Sequence, residues 1–400
     1  MKNRIVLITK DATCKSYLSV YGNTHVKMPN LDALAAKGTV FTRFYTAAPS
    51  TAMSFIALST QKYPYQTKHR DYVKVVEQER NTIFDKLHDE GYDCHIIWEE
   101  KWVIMAKIYS QCYGEHSKFH LIHINQVVGA HNKSTEPILV DDKLSAQTLS
   151  TIKKEIQIVC DEAKDKLFLW IHLPHVLLGR NCYGSDQDLF DAVIGYLRES
   201  FDDEAIYVSA DHGNMNGHKG KVCYGFDVYQ PAINIPLITP RINDLKTCNY
   251  PVSNIHIFDI IKGKIPQDKY IYSDTAYYAQ PHRKLAIIHN NYKYIYNKAT
   301  KEEELYDIDY DPEEHCNIIS KQILDIDRNV MTPLDQVYYY PYWKEAEIEK
   351  ELLRNEFHRI WKKESKKQAL VIKLKIWSNK NTCLRFLLSN IKKISKRPKV

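Results

Sequence analysis

Three short stretches of this sequence put carboxylate, imidazole and hydroxyl groups where they could act on one bound ion. The first is Ala210-Asp211-His212-Gly213, directly after an apolar run over residues 205–209. A carboxylate and an imidazole side by side at a strand end can both turn to a single divalent cation, although such a triplet also suits an ordinary turn. The second is Asp11, which follows the β-branched run 4–9. A carboxylate in that place is either a helix N-cap or a metal ligand. The third is the window Pro49-Ser50-Thr51-Ala52-Met53-Ser54, between an apolar run and a helical one. A hydroxyl at a helix N-terminus lies in a positive field that favours an alkoxide and an incoming anion. A plain Ser/Thr cap would read the same way.

These groups need elements to hold them. Residues 4–9 predict a buried parallel strand ending at Lys10-Asp11. A short helix is expected over 31–37, between Pro29 and Gly38, and a strand over 40–45. Helical spacing over 54–59, 81–90 and 189–199 alternates with apolar runs at 94–98, 166–171 and 205–209. That alternation predicts an α/β fold with a mostly parallel sheet sandwiched by helices. In such sheets, sites form beyond the carboxyl ends of strands, where Asp11, His172 and Asp211 all fall. From about 265 the pattern changes to short strands at 270–273, 285–289 and 292–296, with His289-Asn290-Asn291 as a hairpin turn. The expected organisation is a catalytic domain over 1–260, a small antiparallel sheet-plus-helix subdomain over 261–335, and a basic helical tail over 336–400.

Composition bounds the setting. The 400 residues are 44% hydrophobic, ample for a buried core. Nine cysteines form no C-x-x-C pair, which reads as free thiols in a reducing compartment. The first ten residues hold about five apolar ones, short of a secretory signal core, and no run reaches the roughly 20 apolar residues of a membrane span. The expected location is therefore cytoplasmic. The net charge of +6 hides an asymmetry. Residues 351–400 carry fifteen Lys and Arg against three Glu, a surplus of twelve, so the first 350 residues run a deficit of six. With no recognised module beside the charge, a nucleic-acid partner is not expected. The tail interleaves Leu370–Trp377-type apolar residues with lysines and suits either an interfacial helix, giving peripheral contact with the inner membrane face, or a basic helix packed on an acidic body.

The order of the three stretches and their surroundings bring a family into view. The segment from Asp11 to Tyr21-Gly22, the run Met28-Pro29-Asn30-Leu31-Asp32 continuing to Gly38 and Phe41-Thr42, and the window from Thr51 to Tyr63-Pro64 each resemble sulfatase signatures. So do Tyr229-Gln230-Pro231 leading to Pro236-Leu237-Ile238, and Glu304-Leu305-Tyr306-Asp307 leading to Asp311-Pro312-Glu313. The five stand in the family's order over roughly residues 1–320, so the chain is similar to the sulfatase branch of the alkaline phosphatase superfamily. The resemblance implies a metal held by Asp11, Asp211 and His212, with Thr51 as both ligand and nucleophile. It implies substrate contact by His175, and contact with the ester oxyanion or leaving group by Lys219, Lys221 or His218.

Two departures shape the expected chemistry. The Cys or Ser from which sulfatases make formylglycine is here Thr51, and the Pro and Arg of that motif are Met53 and Phe55. Threonine cannot give formylglycine, so the window resembles instead the superfamily's phosphodiesterases and phosphoethanolamine or phosphoglycerol transferases. Lys10 stands where sulfatases carry a second acid. One divalent ion, zinc or manganese rather than calcium, suits the remaining donors; a second metal would draw on His172, His175, His218 or His282. The expected protein is a metal-dependent hydrolase or transferase acting through Thr51 on a phosphate or sulfate ester, either a small molecule or a glycan or lipid ester. The alternatives are a degenerate member that binds a sugar or lipid headgroup without turnover, or a transferase in surface polysaccharide synthesis.

Overall fold

The strand Arg4–Lys10 (β1) is buried from Ile5 onward. Ile5 and Leu7 join one hydrophobic cluster, Val6 and Ile8 another, so β1 must lie inside a sheet covered on both faces. It does so in the computed structural model of the chain, which describes residues 3–67, 81–99, 117–122, 142–173, 183–221, 223–275, 283–319 and 342–380. The other strands of this sheet are Thr39–Tyr45 (β2), Asp93–Glu99 (β3), Ser117–Ile122 (β4), Leu167–Leu173 (β5), Ile206–Ala210 (β6), Asn234–Thr239 (β7), Thr247–Cys248 (β8) and Val252–Ser253 (β9). Their order is β4-β3-β5-β1-β6-β7-β2-β8, with β9 also on β2. Neighbours are parallel except at β7, which runs against both β6 and β2. β1 is central, between β5 and β6, and its register sets Lys10 beside Leu173 and Ala210. The three strand ends that carry Asp11, His172 and Asp211 therefore lie side by side.

Helices fill both faces. Pro29–Lys37 (α1) begins with proline at its first position, where no amide is needed, and packs with the helix Tyr183–Ser200 on the Val6 side. Thr51–Thr60 (α2) lies on the Ile5 side and is buried from Ala52 to its end, an apolar central helix closed by Gln61 in the left-handed region. The Phe55 ring meets Trp98, Trp170 and His172 edge-on at 4.7–4.8 Å. Ile83–Asp89 (α3) opens on a capping box made by Thr82 and Asp85. A second sheet is a four-stranded antiparallel meander of Ile271–Asp274 (β10), Lys284–His289 (β11), Tyr292–Asn297 (β12) and Glu303–Asp307 (β13). Asn290 sits at the β11–β12 turn with a φ of 53°, where asparagine is among the few residues at ease.

The chain divides into two compact units, 1–346 and 347–400. The described residues of the second, 347–380, are helical, part of the helix Trp343–Lys380, and carry the i,i+3 ion pairs Glu351–Arg354 and Glu356–Arg359. Among the described residues no helix is long and apolar enough to cross a membrane.

Candidate metal and nucleophile site

Asp11 extends β1 by one rung, its amide donating to Leu173 O at 2.8 Å. The chain then turns at Ala12, a buried non-glycine residue with a φ of 47°. That unusual backbone aims the Ala12 amide at Asp211 Oδ1, at 3.0 Å. The His212 amide donates to the same oxygen at 2.7 Å. One oxygen of Asp211 is thus held by two backbone amides, which fixes the direction of the other.

Gly213 explains itself by space. A side-chain carbon there would come within 1.9 Å of Pro231 O, because its amide pairs closely with Ala232 O at 2.9 Å. This approach leaves Gly213 O 2.7 Å from His212 Nδ1. A carbonyl only accepts, so Nδ1 carries the proton and Nε2 faces inward. A backbone carbonyl on the outer nitrogen is the usual way to set a metal-binding imidazole.

His212 Nε2 lies 3.1 Å from Thr51 Oγ1, 3.4 Å from Asp211 Oδ2 and 3.6 Å from Asp11 Oδ1. The two carboxylate oxygens are shut from solvent and make no hydrogen bond. Contacts of 3.4–3.6 Å are too long for charge-assisted bonds to an imidazolium, which run about 2.7–2.9 Å. Two orphaned carboxylate oxygens and an inward nitrogen around one point need a cation between them. Among the described residues this is the one group of His, Cys, Asp and Glu side chains close enough to hold a metal. Separations near 3.4 Å are the edges of a tetrahedron with bonds of about 2.1 Å, and equally of an octahedron with bonds of about 2.4 Å. Spacing therefore fits zinc, manganese or calcium alike.

Thr51 is the first residue of α2 and is partly exposed. No side chain caps the helix at Ser50, so the first-turn amides stay open toward an anion arriving at Thr51. Its rival hydroxyl, Ser54, is fully buried. Ser54 donates to Asp211 O at 2.6 Å and accepts from Asn254 Nδ2 at 3.0 Å. Asn254 also accepts from the Ala47 amide at 2.9 Å. This polar knot ties the start of α2 to the Asp211 carbonyl. Sequence reasoning placed the helix start near Ser54; the helix begins a turn earlier, and Ser54 is a brace within it.

The other candidate residues, and Lys10 beside them, have partners of their own. Lys10 is buried and pairs with Asp186 at 2.9 Å on the Val6 side of the sheet. His172 Nδ1 is 3.0 Å from Thr9 Oγ1, which also accepts from Trp170 Nε1 at 2.9 Å. His218 lies between the Tyr229 and His315 rings, and burial, reinforced by the neighbouring Lys219, holds its pKa below the ordinary value. Lys219 donates to the Tyr306 hydroxyl at 3.0 Å and lies over the Tyr229 and Tyr306 rings; Lys221 pairs with Asp227 at 2.8 Å. Both lysines lie in a charged knot around Tyr229. His175 and His282 lie outside the described residues.

That knot joins two of the sequence signatures. The Tyr229 hydroxyl donates to Glu304, and the Gln230 amide donates to Glu314 Oε2 at 2.6 Å. Glu314 in turn pairs with Lys293, both fully buried. The Tyr229 and Glu304–Glu314 motifs are therefore a clasp between the small sheet and the strand-end loops. Cys14, which sequence reasoning set aside as one of nine scattered thiols, joins the two metal-site loops. Its Sγ donates to Asn214 O at 3.0 Å and accepts from Asn216 Nδ2 at 3.2 Å.

Comparison with known proteins finds likenesses in both sequence and fold. The Sulfatase family model matches residues 3–176. An arylsulfatase of Clostridium perfringens is 31% identical over 135 residues, 33% of this chain. That match spans only 24% of the arylsulfatase's own length. A phosphonate monoester hydrolase of Agrobacterium radiobacter superposes with a TM-score of 0.62 at 14% identity, covering 89% of this chain and 96% of its own. A 2-O GAG sulfatase gives 0.63 at 14% identity, over 90% and 93%. The chain thus resembles the Sulfatase family over residues 3–176 and shares the fold of these solved structures.

Proposed function

We propose that this chain is a metal-dependent hydrolase or transferase of phosphate or sulfate esters, with Thr51 as the attacking group. The observation that carries the reading is the orphaned pair Asp11 Oδ1 and Asp211 Oδ2, which face the same imidazole nitrogen that touches the Thr51 hydroxyl. A divalent cation held by Asp11, Asp211 and His212 would lower the pKa of that hydroxyl and offset charge on the ester oxygens. Thr51 Oγ1 then attacks phosphorus or sulfur in line. The ester oxygen departs with the electron pair of its bond, and the group rests on Thr51. Water or an acceptor alcohol attacks from the vacated side, and Thr51 is regenerated. The open first-turn amides of α2 orient the anionic group. An unmodified threonine and a buried Lys10 in place of a second acid favour one cation and a covalent threonine ester over formylglycine chemistry.

The test is a screen of aryl phosphate monoesters, diesters and sulfates on chelator-stripped protein, with zinc, manganese or calcium restored. Turnover of at least one ester class, restored by one metal, is the expected result. Protein that binds one equivalent of metal and turns over none of the three would instead support a binding protein without catalysis.

A further inference from the structure

Where β2, the loop after β1 and the chain after β13 meet lies a polar cleft of about 510 Å³, within the size range of small-molecule sites. Arg43 and Tyr45 of β2, Gln230, Asn234, Lys15 and Asp309 line it. Four polar atoms on these walls are shut from water and have no hydrogen-bond partner: Arg43 Nε, both amide atoms of Gln230, and Asn234 Oδ1. A native fold rarely leaves so many together, since each orphaned group carries its full desolvation cost. The Tyr45 hydroxyl lies beside Gln230 and Arg43. Two cations, Lys15 and Arg43, share the cleft with the carboxylates Asp309 and Glu313 at its rim; burial together with the Arg43 charge brings the Lys15 pKa down to about 8. Arg43 has one distant carboxylate, Asp309 at 3.5 Å, and that partner is largely exposed.

We propose that this cleft is a second ligand site, separate from the Asp11–His212 cluster, and that it takes an acidic sugar. The anionic group sits between Lys15 and Arg43, and the sugar hydroxyls meet the amides of Gln230 and Asn234 after a small side-chain rotation. A neutral sugar leaves the two cations facing each other. A bare anion leaves the amides unmet. The cleft also touches Cys14, whose thiol ties the Asp11 loop to the Asp211 loop. Occupancy is thereby coupled to the loops that carry the metal ligands.

The experiment is titration of the full chain with glucuronate, glucose 6-phosphate and glucose, followed by calorimetry and ligand-observed NMR. It uses four proteins: wild type, Arg43→Gln, Lys15→Gln and Asp211→Asn, each checked for a wild-type circular dichroism spectrum. The proposal expects saturable binding of at least one acidic sugar and binding of glucose weaker by about tenfold or more. It expects a similar loss in Arg43→Gln, and full retention in Asp211→Asn. Lys15→Gln, altered at a partly exposed position, supplies the same reading if Arg43→Gln misfolds. Absence of saturable binding by either acidic sugar overturns it. So does binding that vanishes in Asp211→Asn but survives in the cleft variants, which would assign the sugar to the metal cluster.

Discussion

At the scale of single residues, the site is built from backbone constraints that no side-chain motif names. Asp211 points correctly because the amides of Ala12 and His212 occupy its other oxygen, and His212 points correctly because Gly213 O holds its outer nitrogen. Gly213→Ala should therefore damage both fold and site. Its new carbon meets Pro231 O, and the overpacking should cost about 1–3 kcal/mol, read as a lower melting temperature with reduced metal content. A variant with unchanged melting and full metal content would contradict the role given to that contact. Asp11, Thr51, Asp211 and His212 were legible as candidates through the order of the signatures around them, since each alone would read equally as a cap or a turn. Cys14 and Ser54 were not, because a thiol or hydroxyl that braces a loop has no signature apart from the partners it meets in space.

At the scale of elements, the braces decide where α2 begins. Ser54→Ala would leave Asn254 short of an acceptor inside the fold and free the Asp211 carbonyl, a loss of about 1–3 kcal/mol. Urea titration should show it as a lower midpoint at an unchanged slope; an unaltered midpoint would mean the knot is dispensable. A second element has a pH signature. His256 sits between Asp268 at 2.7 Å and Asp259 at 3.2 Å, just before the helix Ile257–Ile261. Burial opposes its protonation, but the two carboxylates outweigh burial and raise its pKa. A raised folded value means the stabilisation is fully present below the unfolded value of about 6.5 and fades as pH rises through the folded one. His256→Gln should thus melt lower than wild type near pH 5.5, with the gap closing in alkaline buffer. A gap that widened with pH would reverse the sign. The parallel strands were legible because their runs are apolar on both faces. β4, whose sequence Ser117–Ile122 alternates polar and apolar residues at the sheet edge, and the reversed direction of β7 were not, since strand direction leaves no mark on hydrophobic pattern.

At the scale of the whole molecule, the sequence signatures divide into two kinds. Those that begin at Asp11 and Thr51 meet Asp211 and His212 at the candidate metal site, while the one at Tyr229 meets Glu304 of the last signature and Glu314, one residue past its end. Linear order alone makes both look like site motifs, and only the packing separates them. A cation held by Asp11, Asp211 and His212 would tie the ends of β1 and β6 together, so metal should stabilise the folded chain. At a free concentration a hundred times its dissociation constant the gain is about 2.7 kcal/mol. Differential scanning fluorimetry should show a rise in melting temperature with zinc or manganese in wild type and little or none in Asp211→Asn; equal rises in both would place the metal elsewhere. The most direct test of the central claim is mass spectrometry of the chain quenched during turnover of its best ester. The account predicts a transient mass increase of one phosphoryl or sulfuryl group, mapped to the peptide bearing Thr51. It also predicts that Thr51→Ala shows no adduct and loses about a thousandfold or more in rate. A Thr51→Ala protein that still turns over at near wild-type rate, or an adduct mapped to another side chain, would contradict it.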